Sequence, residues 1–165
     1  MNKSPIVILR DIIKTQMNLN NDRIWVYNQS KSIPTDKELF VVLEFLNSKV
    51  YSARNSYIPT NTGMQEQPTM NTVEEYAIKI ASVNDDATFR KEEIILALNS
   101  DYSIQQQQIY QFRIAQIPNT FLNVSSVEAS KMLNRYDIHI KVFAFYSKSN
   151  NVSYYNTFGE EIYFG

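Results

Sequence analysis

The chain of 165 residues contains no cysteine, which excludes disulfide staples, thiolate nucleophiles and thiolate-held metals. It has one histidine, so a histidine-rich metal site is excluded as well. Three glycines are too few for a loop that cradles phosphates. No phosphate loop, dinucleotide fingerprint, Gly-x-Ser-x-Gly elbow or His-Glu-x-x-His is present. The formal net charge is −1, and the absence of a basic cluster argues against binding that depends on many phosphate contacts. Near the start, the apolar run Ile6 to Leu9 stops at Arg10 and Asp11. That is too short for a signal-peptide core or a membrane span, and the chain reads as cytosolic at synthesis.

What is present is a long β-forming stretch. Met132 to Ser147 contains no glycine or proline and is rich in β-branched and aromatic residues. Its even positions from Tyr136 to Tyr146 are apolar, while Arg135, Asp137, His139 and Lys141 form a polar odd row, as expected of a strand with one core face and one wet face. Phe143 and Phe145 turn the odd row apolar, which predicts cover on both sides of the far half. At about 3.3 Å per residue the stretch is roughly 53 Å long. A compact chain of this size is about 40 Å across, so the strand is either bent or reaches beyond its own domain.

The remaining elements follow in order. Ser4 and Pro5 read as N-cap and first helical position of an amphipathic helix ending near Met17 to Leu19. Ile24 to Tyr27 is a short strand with Trp25 in the core, and Leu39 to Leu46 a strand buried on both faces, continuing to Tyr51 with a bulge near Asn47. Ser52 to Asn71 is polar and irregular, and it reads as an exposed hairpin without a role or as an arm that orders against a neighbouring subunit. Thr72 to Ala81 is a half-buried strand. Asn84 to Asp86 cap a helix through about Leu98 whose apolar residues are Phe89, Ile94, Ile95 and Leu98, and a second helix carries Ile104 and Ile109. Phe112 to Ile117 is a strand, and Ser125 to Glu128 resembles a capping box for a single turn. Ser149 to Asn151 reads as a turn that leads Val152 to Phe158 back along the long strand. The expected fold class is α/β (α+β): one domain over residues 1–165 with helices on a mixed, mainly antiparallel sheet, a polar loop at 52–71 and a short tail at 159–165.

No catalytic, cofactor-binding or metal-ligating residue can be assigned. His139 has only Asp137 and Lys141 beside it on the strand, and this spacing supplies neither a pocket nor a ligand set. The pairs Glu74-Glu75, Asp85-Asp86, Glu92-Glu93 and Glu160-Glu161 read as ordinary surface, since adjacent side chains diverge. The tyrosines are not interleaved with lysine or arginine, so packing and interfaces are their expected use. Apolar residues with no evident core partner form the candidate interface: Tyr57, Met64 and Met70 in the 52–71 segment, and Ile162, Tyr163 and Phe164 at the tip.

Taken together, the helix Pro5 to Met17, LFVVLEFL after Pro34, VEEYAIKIA, EEIILALNS, FRIAQIPNTF, NVSSVEAS, NRYDIHIKVFAFY and the final YYNTF resemble the neck and tail-terminator (tail-completion) proteins of tailed bacteriophages. The resemblance covers nearly the whole chain and lies in order and pattern, with no catalytic signature. It implies a non-enzymatic virion protein whose subunits join into a ring, usually hexameric, at the head-proximal end of the tail, where the ring terminates the tail tube and docks the neck or head. The implied partners are further copies of the chain, the tail tube or sheath protein, and neck or head-completion proteins. Assembly in the host cytoplasm is implied, with no cofactor, no membrane and no sequence-specific nucleic-acid binding, although a ring lumen could pass DNA. The alternatives are a head-completion or adaptor protein of the neck, or the equivalent subunit of a phage-like contractile device. A hydrolase using Asp137 and His139 would need a concave pocket around them.

Overall fold

The computed structural model describes residues 3–27, 34, 36–61, 63–128 and 131–152. Helix α1 (Pro5–Gln16) starts after Ser4 with proline in its first turn, where a missing N–H costs nothing. It ends at Met17, followed by Asn18 at φ 54°, a left-handed setting that asparagine tolerates. Its apolar face, Ile6, Ile8, Leu9, Ile12 and Ile13, is buried. There follow β1 (Ile24–Val26), β2 (Phe40–Thr60), β3 (Gly63–Ser82), α2 (Asp86–Arg90), α3 (Glu92–Leu98) and α4 (Asp101–Tyr110). The chain continues with β4 (Phe112–Gln116), β5 (Leu122–Asn123), β6 (Ser126–Glu128), β7 (Lys131–Ser147) and β8 (Asn150–Val152).

The strands form a mixed, mostly antiparallel sheet in the order β1-β2-β3-β7-β4, with β5 and β6 also on β7 and β8 also on β3. Among the described strands only β1 and β2 pair in parallel. The α+β class expected from the sequence is the class observed. Even positions of β3 and β7 face the helices: Tyr76, Ile78, Ile80, Ile138, Ile140 and Val142 join the α1 face, Ile94 and Leu98 in the main core. On the opposite face Trp25 stacks on Phe40 with ring centroids 5.5 Å apart, beside Ala81.

The segment 52–71 is not irregular. Beyond a register shift at Val50/Ser52, β2 and β3 stay paired from Ser52 and Asn71 to Thr60 and Gly63, so the segment is a paired hairpin and the expected irregularity is corrected. Gly63 closes the turn at φ +139°, a setting that strains any side chain. The register shift between Phe45 and Asn47 places a bulge where the sequence predicts one. Ser149 to Asn151 is likewise not a turn. Ser147 pairs with Thr69 and Asn150 with Glu66, so β8 continues the line of β7 along β3. The break falls opposite Pro68, whose carbonyl accepts from Lys148 N–H at 3.1 Å but which has no N–H to return. The expected return of Val152 along β7 is therefore corrected, because β8 pairs with β3; residues 153–158 lie outside the described ones.

Other expectations are corrected by packing. Ser125 to Glu128 starts no helical turn: the Ser125 hydroxyl accepts from Arg135 N–H at 3.1 Å, and Ser126, Val127 and Glu128 pair with β7. The helix predicted through Leu98 is divided at Lys91, and Phe89 is exposed because Ala87 is the buried residue of α2. Met132 lies beyond the core and is exposed. In the polar row Asp137 is buried, with Arg135 donating to both its oxygens at 3.0 and 2.9 Å. Phe143 is exposed and Phe145 half-buried, and among the described residues neither helix nor loop covers Phe143.

Candidate interaction surface

The strands outgrow the helices. The buried part of β2 ends at Leu43, and from Phe45 to Thr60 every residue but the half-buried Ser56 is exposed. That stretch and its partners, β3 in the middle and β7 with β8 beyond it, form a three-stranded arm rooted in the helix-packed body. The full strand of 21 residues spans about 69 Å at the usual rise, well beyond a compact body of this size. Strand β1 pairs with Val41, Val42 and Leu43 only. Among the described residues no strand pairs with the outer edge of β2 from Glu44 to Pro59, which leaves that row of backbone donors and acceptors without a described strand partner.

The arm brings three of the residues singled out from the sequence onto one face. Tyr57 pairs with Glu66, Met64 with Pro59, and Met70 with both Ala53 and Tyr146, so Tyr57, Met64 and Met70 share the face that continues the core side of the sheet. Tyr57 is 57% exposed, and the two methionines are half-buried. A groove of about 490 Å³ is lined there by Ala53, Met70 and Tyr146 among others. Ile162, Tyr163 and Phe164 lie outside the described residues.

At the root of the arm sits a buried carboxylate. Glu74, 5% exposed, takes hydroxyl donors from Thr72 at 3.1 Å, from Tyr146 at 2.6 Å and from Tyr76. Burial and then the bond to Glu74 push both phenols well above their ordinary value. Glu74 is thus not the surface residue that its pairing with Glu75 implies. The two diverge as strand neighbours must, and Glu74 points to the core side. Glu75 faces the other way, where Lys141 at 3.0 Å and then Asn47 at 2.7 Å hold its carboxyl below the usual range.

His139 lines a shallow cleft of about 250 Å³ with Glu75, Gln116, Pro118 and Lys141. Asp137 does not orient it, since Arg135 takes both Asp137 oxygens. The described residues hold no cluster of three or more His, Cys, Asp or Glu side chains suited to a metal, and no described helix is long and apolar enough to cross a membrane.

Sequence reasoning missed the exposed residues Phe45, Leu46, Val50, Tyr51 and Ile58 of β2. The available signal was an apolar run that continued past the length of a core strand. Such a run predicts burial on both faces, whereas the far half of β2 extends beyond the helices. No protein-family model matches the chain, and no curated protein matches it.

Proposed function

We propose that the protein is a structural subunit of a tailed-phage particle, a tail-terminator-type protein. Its copies join into a ring at the head-proximal end of the tail, end the growth of the tube and present a surface to the neck. The observation that carries this reading is the arm, because an open β2 edge backed by exposed apolar side chains is an assembly surface. An unpaired edge of that length is a liability in a monomer, since it templates pairing with another chain. Head-to-tail use of such an edge closes into a ring when the rotation per subunit allows it. Six copies is the number that the family resemblance implies.

Among the described residues no further acid, base or nucleophile converges with His139 beyond Glu75 and Lys141, which pair with each other, and Asp137 is committed to Arg135; both support a non-enzymatic role. The mass of the purified chain in solution, measured by sedimentation over a concentration series, tests the reading. A ring-sized species is expected, and it disappears when Val50→Pro or Ala53→Pro, opposite Thr72 and Met70, blocks the edge. A strict monomer that nonetheless binds neck components favours the adaptor reading instead.

A further inference from the structure

We propose that the open face of the sheet, at the root of the arm, binds single-stranded nucleic acid by stacking bases on Tyr51 and Phe143 between flanking cations. One cross-strand row runs through Arg113 on β4, Phe143 on β7, Val73 on β3 and Lys49 on β2, each paired with the next. Directly paired residues share a face. Arg54, paired with Thr69, follows on that face. Tyr51 lies in the register shift beside Lys49, and its ring meets Phe143 edge to face with centroids 5.8 Å apart. Both rings are exposed, by 56% and 41%, and line a cleft of about 250 Å³ with Arg113.

The charge on this face is uneven. Lys79, Lys141 and Arg135 are paired with Glu44, Glu75 and Asp137. Among the described residues no carboxylate pairs with Lys49, Arg54 or Arg113, and all three are exposed. Their complement is an anion that extends over the face. A peptide strand adds to a sheet edge, but here the cations stand on β2 and β4 with β3 and β7 between them. Outward aromatic rings flanked by cations on a sheet face suit bases that stack while phosphates are neutralised. A duplex keeps its bases inside and leaves the rings unused. Along the sequence Lys49, Tyr51 and Arg54 lie within six residues, whereas Arg113 and Phe143 are distant and only the strand register brings them alongside. The inference does not rest on ring formation and is tested on the isolated chain.

The test is fluorescence anisotropy of a labelled oligothymidylate of about 12 nucleotides, within the site sizes usual for such surfaces. Binding is expected to weaken with salt, with a log–log slope near −2 for about three neutralised phosphates. Arg113→Gln and Lys49→Gln each reduce the slope. Tyr51→Ala and Phe143→Leu weaken binding at least about fivefold, the lower end for losing one stacked base, and Tyr51→Phe restores it. Lys14→Gln, on α1 behind the opposite face of the sheet, leaves binding unchanged. Circular-dichroism melts verify that each variant folds. No binding at low salt overturns the proposal. So does duplex binding as tight as single-strand binding with the ring substitutions silent, which marks a plain polyanion surface. Displacement of the oligonucleotide by polyglutamate as readily as by unlabelled oligonucleotide also overturns it and marks an acidic-protein site.

Discussion

Tyr146 donates its hydroxyl to Glu74 at 2.6 Å, joining residues 72 positions apart at the place where the arm leaves the body. Thr72 and Tyr76 complete the set of donors, so one carboxylate ties β3 to β7 where core burial gives out. Hydrogen bonds to a charged group contribute about 1.5 to 3 kcal/mol, and a buried group left unsatisfied costs about 1 to 3. Tyr146→Phe is therefore expected to cost about 1 to 2 kcal/mol and Glu74→Ala about 2 to 4, read from urea unfolding. A double-mutant cycle should give a coupling of at least about 0.5 kcal/mol, as contacting residues do. Independent, additive losses would show that the contact is not made in solution.

The same cluster sets a response to alkali. Tyr76 and Tyr146 are raised above the ordinary phenol value of 10.0. Their contribution to stability is fully present below the unfolded value, near pH 10, and is lost as pH rises toward the higher folded values. Stability measured by denaturant unfolding should fall above about pH 10, with Tyr146→Phe reducing the slope. Phenolate absorbance of the native protein should show these two tyrosines titrating after the exposed ones. Simultaneous titration of all tyrosines would contradict the buried cluster.

The arm and the body should be separable. Arg54 and Thr69 face each other in the β2–β3 register, so replacing the chain between them with a two-residue Asn-Gly turn shortens the hairpin, removes the β3 residues that β8 pairs with and leaves the rest of the β2–β3 register in place. The helix-packed core is untouched by this change, and the melt is expected to stay within a few degrees, roughly what about 1 kcal/mol produces in a domain of this size. Self-association, followed by light scattering, is expected to be lost. A shortened protein that assembles normally would remove the arm from the interface.

Much of the body was legible because its signals are local or periodic. The Ser4-Pro5 start of α1, the alternation of Tyr76, Ile78 and Ile80, and the even row of β7 all name their buried face from spacing alone. The arm was not legible. Asn55, Gln65, Gln67 and Pro68 carry the composition of a loop, and they are strands because β3 offers a ladder on both sides. Tertiary pairing overrides weak β-propensity in such places. Glu74 was missed for a related reason: its donors Tyr76 and Tyr146 converge only when β3 and β7 are in register. The meeting of Lys49 and Tyr51 with Phe143 and Arg113 is equally non-local.

The body's core is tested most simply at Ile140. This side chain is buried opposite Tyr76 and within the cluster that includes the α1 face. Ile140→Ala is expected to cost about 2 to 5 kcal/mol, the usual range for emptying a filled core position. Val127→Ala, on the exposed strand β6, is expected to change stability by no more than about 0.5 kcal/mol. A melt unaffected by Ile140→Ala would reverse the assignment of the sheet's faces.

The proposed role is tested most directly by cryo-electron microscopy of tail tubes incubated with the purified chain. A closed ring at one end of each tube, its subunits joined along the β2 edge, together with tubes that no longer lengthen when tube protein is added, is the predicted result. Tubes that keep growing with bare ends, beside a protein that stays monomeric and unbound, would contradict it.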